Sequence, residues 1–247
     1  MTEKMAKKPF GLTSNQLRGL ALFFMLLDHM WATVVGGQMW MTCVGRMAFP
    51  IFAFLIGEGY AHTHDFKAYA KRLFWFGVIS EIPFNMMISA PIFPFHQNVM
   101  FTLLLGLLSI HLWEQTLQQE ELVPRLKKLV LCFLCIIGGG VFMTDYGMMG
   151  VVTVLLFWVC RNLPYRWAFQ LAGMIVLNVF AAEGQVFPLS VGSFTWDFPL
   201  QGFAVFALLF IWLYNGEKGS KNKWLQYGTY AFYPVHMLVL SMIPYLQ

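Results

Sequence analysis

From Gln16 to Ile243 the chain is a succession of apolar blocks, each about 15 to 20 residues long, separated by short polar or glycine- and proline-containing stretches. This pattern narrows the fold more than any other feature. A block of that length crosses the hydrocarbon of a bilayer as a helix, the one open-chain structure that satisfies its own backbone there. Only 11% of the residues are charged, against about 25% in a soluble domain. The expectation is therefore an all-α, polytopic integral membrane protein forming one domain over residues 1–247.

Hydropathy gives nine expected spans: Gln16–Val35, Met41–Tyr60, Tyr69–Ser89, Val99–Trp113, Lys128–Phe142, Met148–Cys160, Trp167–Ala182, Leu200–Tyr214 and Tyr227–Ile243. Pro188–Pro199 reads as a re-entrant or surface segment. With the N-terminus placed in the cytoplasm, fifteen of the sixteen Lys and Arg residues fall on that side, and the exception, Arg46, lies inside the second span. That asymmetry orients the chain in its membrane with the N-terminus on the cytoplasmic side. The basic N-terminus, with Lys4, Lys7 and Lys8, reads as the flank of a retained first span. The net charge of +4 reflects the cytoplasmic face and carries no nucleic-acid signal, since no basic stripe interleaved with aromatics is present.

Cys43, Cys132, Cys135 and Cys160 all lie in apolar segments. The Cys132-x-x-Cys135 spacing reads as packing of small apolar side chains. His62-x-His64-Asp65 has metal-like residue types with only local spacing and reads as a solvated turn. No metal site is expected.

Ionisable groups within apolar spans are costly and mark function or pairing. Asp28 and His29 interrupt the first span, Arg46 the second and Glu81 the third, while His236 falls in the ninth. Helical rise places His29, Arg46 and Glu81 at similar depth in the outer half and His236 near the middle, and a buried cation should pair with buried carboxylates. The expectation is a polar chamber lined by Asp28, His29, Arg46, Glu81 and His236. Asp28 suits Arg46 as a partner; Glu81, or another group across the chamber, suits His29 as an orienting group. The bland alternative is a structural salt bridge between Arg46 and Asp28 or Glu81.

Arg18 and His29 are eleven residues apart, so both project from one helix face, about 16 Å apart along the axis. Arg18 at the cytoplasmic mouth suits a phosphate group. A ligand with a charged head and a long thin arm, such as coenzyme A, would span the gap. Pro50, Pro83 and Pro234 each lie within an expected span beside a polar residue and suggest kinks at a cavity. Asp145-Tyr146-Gly147 is an outer-edge turn that could border a substrate entrance, and Asn98 with Thr102, at i and i+4, could do the same.

The segments LLDHMW, GRMAFPIFAFLIGEGYAHT, ISEIPFN, NVMFTLLLGL, DYGMMGVV, NGEKG and YAFYPVHMLVL together resemble the TraX family of conjugative-pilin acetylation proteins. That family is in turn similar to the acyltransferase-three superfamily, whose first-span basic residue, ten residues and His are matched by Arg18 and His29. A late-span Tyr-x-x-His is matched loosely by Tyr233 and His236. The resemblance implies acetyl transfer from acetyl-CoA to an acceptor peptide, glycan or lipid at or across the membrane, the pilin α-amino group in the namesake. The mechanism expected on that basis has His29 as base, Arg46 at the oxyanion and Glu81 orienting His29, with Asp28 completing the catalytic set. Arg18, Lys71 and Arg72 would take the acetyl-CoA phosphates, and Asn98, Asp145, Tyr146 and His236 the acceptor. The rival classes are a proton-coupled transporter or lipid flippase, and a structural subunit of a conjugation or secretion machine.

Overall fold

The computed structural model describes residues 10–88, 95–182, 184–192, 194–220 and 222–243. Lys4, Lys7, Lys8, Glu183, Lys221 and residues 91–94 of an expected outer loop lie outside them. Among the described residues, ten α-helices and two strands follow one another: α1 (Ser14–Thr33), α2 (Met39–Gly45), α3 (Ala48–His62), α4 (Phe66–Ile88), α5 (Val99–Gln118), α6 (Leu122–Val141), α7 (Gly147–Val159), α8 (Arg166–Ile175), β1 (Val186–Val191), β2 (Phe194–Pro199), α9 (Ala207–Trp212) and α10 (Lys223–Met242). Two compact units emerge, one from Ala53–Arg161 with Tyr233–Ser241, the other from the described residues of Glu3–Phe52, Asn162–Phe232 and Met242–Gln247.

The chain is mostly helical, as expected, with one departure from an all-α fold. Val186–Val191 and Phe194–Pro199 form an antiparallel hairpin where a re-entrant or surface segment was expected. Its alternation explains it: Phe187, Leu189, Phe198 and Trp196 fall on one face, Leu189 opposite Trp196 and Phe187 opposite Phe198. Phe187 and Phe198 both stack edge-on against Phe203.

The nine-span expectation is met only in part. Among the described residues, two helical stretches are long and apolar enough to cross a bilayer, Met39–His62 and Val99–Gln118. Shorter apolar helices run over Gly147–Asn162, Arg166–Phe180 and Leu200–Trp212. The helices α1, α4, α6 and α10 have the length, at 20 to 23 residues, but their polar residues dilute the apolar run.

The expected second span, Met41–Tyr60, is two helices broken at Arg46–Met47. Pro50 accounts for the break. It sits in the first turn of α3, where a missing N–H costs nothing, and its ring excludes a helical carbonyl four residues back, at Arg46. The kinks expected at Pro83 and Pro234 concern prolines that do lie inside helices, α4 and α10.

In the first unit, α5 packs against α4, α6 and α7. Leu107, Ile110, Val151 and Val154 are fully buried there. Gly106 allows this closeness: a Cβ at that position would lie 2.6 Å from the Val154 Cβ, so a small residue sets the α5–α7 crossing.

In the second unit, α1 opens with a capping box in which Thr13 and Gln16 bond each other's backbone. The segment before it is tied to the stretch after α9: Leu12 N–H donates to the Leu213 carbonyl at 2.8 Å, and Asn215 N–H to the Leu12 carbonyl at 3.0 Å. The α8 helix continues into a π-helical turn, Val176–Phe180, where buried Asn178 accepts from Gln201 Nε2 at 3.1 Å.

Candidate functional site

Two polar centres emerge, one in each unit, and the expected chamber residues divide between them. Asp28, His29, Arg46 and Arg18 belong to the second unit. Glu81, Asn98, Asp145, Tyr146, His236, Lys71 and Arg72 belong to the first.

The second unit's centre is built by a glycine. Gly45 faces Asp28 so closely that a Cβ there would lie 2.4 Å from the Asp28 Cβ. The absent side chain lets α2 lie directly on α1. Thr42, one turn before Arg46, then donates its hydroxyl to Asp28 Oδ1 at 2.6 Å. Arg46 Nη2 donates to Thr42 Oγ1 at 3.0 Å and approaches Asp28 Oδ1 at 3.4 Å. The pairing of Asp28 with Arg46 expected from the sequence is present, with Thr42 as an unforeseen third member. The Arg46 and Asp28 side chains keep 24% and 16% of their exposure, so the centre is shielded but reachable. His29 is half-buried on the next position of α1, and its carbonyl accepts from the Thr33 hydroxyl at 2.7 Å. Arg18, partly exposed, lies eleven residues earlier on the same helix, hence on the same face.

The first unit's centre gathers around Glu81. Asn98 donates its Nδ2 both to the Gly77 carbonyl, at 2.8 Å, and to Glu81 Oε2. Asn85 Nδ2 meets Glu81 Oε1 at 3.1 Å. The Thr102 hydroxyl donates to the Asp145 carbonyl. Tyr233 is buried in the same unit. Buried His236 has its ring 5.9 Å from that of Tyr233.

Asn98 and Thr102, expected at an outward entrance, are both 0% exposed. Asn98 caps α5, its Oδ1 accepting from Met100 N–H at 3.0 Å. Its side chain thus serves the fold and Glu81 together. Asp145 and Tyr146 do form a turn, and a strained one. Met143 and Tyr146 take left-handed backbone angles (φ 47° and 65°) that non-glycine residues rarely adopt, a form of strain that clusters at functional sites. Lys71 and Arg72 are exposed on α4, the Arg72 guanidinium 5.6 Å from the Tyr69 ring centroid.

Sequence reasoning missed a further network. Arg161 was placed in a cytoplasmic loop; it is 4% exposed, and its Nε donates to Glu58 Oε1 at 2.8 Å. Nearby contacts join Tyr60 to His111 at 3.1 Å and Trp158 Nε1 to Glu114 Oε1 at 2.8 Å. The available signal was Glu58 itself, a carboxylate within an apolar run. Among the described residues no cluster of His, Cys, Asp and Glu could hold a metal ion.

A family model described as TraX protein matches residues 13–244. A relative from Dichelobacter nodosus, described as a probable fimbrial assembly protein FimC, serogroup H1, is 30% identical over 239 residues, covering 91% of this chain and 93% of its own. No solved structure matches the chain.

Proposed function

The chain belongs to the TraX family, and from that premise we propose that it is a membrane-embedded acetyltransferase moving an acetyl group from acetyl-CoA to an amine or hydroxyl acceptor. Its setting is the assembly of pili or fimbriae, as the name of the Dichelobacter relative carries. The observation that supports this most is the compact Asp28–Thr42–Arg46 centre beside His29.

The chemistry follows from the groups present. His29 takes a proton from the acceptor as its nitrogen or oxygen attacks the thioester carbonyl carbon. Negative charge develops on the carbonyl oxygen, and Arg46, held by Asp28 and Thr42, stabilises it in a shielded setting. Collapse of the tetrahedral species breaks the carbon–sulfur bond, and the departing thiolate takes the proton from His29. Arg18, on the His29 face of α1, receives donor phosphates. The exposed Lys71 and Arg72 are suited to phosphate in their own right.

The test is transfer of labelled acetyl from acetyl-CoA by protein in liposomes. Positioned acid–base catalysis contributes about 10²–10⁴-fold. His29→Ala should therefore lose about that factor while retaining its melting temperature. A folded His29→Ala protein with full turnover would overturn the assignment. The relative's printed role in fimbrial assembly favours a second reading, a structural assembly part. On that reading Asp28, His29 and Arg46 can be replaced together by apolar residues without loss of fimbriae, and no acetyl label is transferred.

A further inference from the structure

Residues 215–219, NGEKG, form a loop clasped to the first turn of α1, within the unit that holds Arg18 and His29. Ser14 N–H donates to the Glu217 carbonyl at 2.8 Å, and Asn15 N–H to the Lys218 carbonyl at 3.1 Å. Asn15 Nδ2 donates to the Ser220 carbonyl at 2.7 Å. The N–H groups that open a helix have no acceptor within it, so the carbonyls of the loop stand in for a preceding turn.

The loop's own residues shape it for this. Asn215 is buried, and its Oδ1 accepts from Glu217 N–H at 2.9 Å, the local bond by which asparagine makes a turn. Gly216 and Gly219 take φ of 81° and 85°, angles that glycine adopts at no steric cost. A Cβ on Gly219 would lie 2.8 Å from Thr13 Oγ1, so glycine also permits the close approach to α1.

The clasp fixes where Lys218 stands. Its carbonyl is bonded to Asn15. Asn15 and Ser14 are three and four residues before Arg18, the spacing of neighbours on one helix face. Helical side chains lean toward the N-terminus of their helix, so Arg18 leans toward the loop. Lys218 is exposed and Arg18 partly exposed. Among the described residues neither cation has a carboxylate partner, and the first turn of α1 holds no acid. Glu217, the acid beside Lys218, has interactions of its own. Two uncompensated cations of different kinds thus stand at the same end of α1. A lysine is a point charge for a phosphate oxygen, and the planar guanidinium takes two such oxygens at once.

We propose that the 215–219 loop is part of the donor site: Lys218 and Arg18 together hold the phosphates of the nucleotide head of acetyl-CoA, and the pantetheine arm runs along α1 toward His29. This rests on the acetyltransferase reading. It gives the head a second anchor in the unit that carries His29, whereas Lys71 and Arg72 belong to the other unit.

The test uses the full chain in liposomes with labelled acetyl-CoA, and two pieces of the donor as competitors: adenosine 3′,5′-bisphosphate for the head and pantetheine for the arm. Lys218→Ala should raise KM for acetyl-CoA about tenfold, the lower end for a hydrogen bond to a charged group. It should leave kcat within about twofold, because the lost binding is shared by ground and transition states. The inhibition constant of the bisphosphate should rise by the same factor, and that of pantetheine should not move. Lys218→Arg, which keeps the charge, should restore KM. Lys218 is exposed, so these variants keep the fold. An unchanged KM in Lys218→Ala, or a bisphosphate that does not compete with acetyl-CoA, overturns the proposal and leaves the acetyltransferase reading standing. Equal shifts for bisphosphate and pantetheine overturn it too, since a general loosening of α1 produces them. A parent protein that transfers no label overturns both.

Discussion

Two of the arginine–carboxylate pairs among the described residues differ in what they can do. Arg161 and Glu58 meet at 2.8 Å with both side chains 3% exposed, whereas Arg46 and Asp28 meet at 3.4 Å with 24% and 16% exposed. The first pair is sealed by its surroundings, the Arg161 guanidinium lying 5.8 Å from the Trp158 ring centroid. The second is looser, shares a threonine, and stands beside a histidine. A sealed pair can only hold helices together; a reachable one can exchange a partner for a reacting group. An arginine–carboxylate pair thus serves structure in one unit and, on the reading above, chemistry in the other.

The sharpest way to break this contrast is to cut the sealed pair. Removing one partner strands a buried charge, which costs about 3–5 kcal/mol, whereas replacing both by apolar groups of similar volume is often neutral. Glu58→Ala and Arg161→Ala should each lower the unfolding free energy by about that amount, and Glu58→Leu with Arg161→Met should recover most of it. Denaturant titration in detergent reads this directly. If either single change left stability intact but abolished turnover, the sealed pair would belong to the chemistry and the contrast would fail.

The reachable pair should behave in the opposite sense. Arg46→Lys keeps a charge but loses the planar guanidinium, whose Nη2 meets both Thr42 and Asp28. Loss of one preorganised donor to a developing oxyanion typically lowers turnover about 10²–10³-fold, or about 2.7–4 kcal/mol of barrier. That loss is expected in labelled acetyl transfer, with the melting temperature held within a few degrees. A melting loss that accounts for the whole drop would make Arg46 a structural residue like Arg161.

What could be read from the sequence follows from the physics of each feature. Apolar block length revealed the helices, because helical span and hydrophobic length are tied together. It did not reveal the break before Pro50, because the apolar run continues across it and only the carbonyl clash four residues back disrupts the helix. The hairpin at Val186–Pro199 escaped because its two prolines and aromatic face read equally well as a surface loop. At the site, Asp28 and Arg46 were legible as charges that must pair in hydrocarbon. Thr42 was not, since a hydroxyl in an apolar helix ordinarily bonds its own backbone. Nor was the service of Asn98 to Glu81, which depends on Gly77 and Asn98 meeting across α4 and α5. Arg161 was misplaced because its position at a helix end mimics a loop cation, and only packing shows that it folds inward.

The finest test asks whether the two polar centres act as one machine. Glu81 was expected to orient His29, yet its carboxylate is engaged by Asn85 and Asn98 within its own unit. A double-mutant cycle distinguishes joint action from independence without presuming geometry. Residues that act together show interaction energies of about 0.5–3 kcal/mol, while independent sites add within about 0.5 kcal/mol. If Glu81 tunes His29, then Glu81→Gln should lower turnover in the parent protein and do nothing further in His29→Ala, since the group it serves is gone. If Glu81 instead serves only its own unit, the two losses should multiply. Measuring labelled acetyl transfer on the same four proteins separates these outcomes. Additive losses in turnover would confine the chemistry to the Asp28–Thr42–Arg46 centre and leave Glu81 to the network it forms with Asn85 and Asn98.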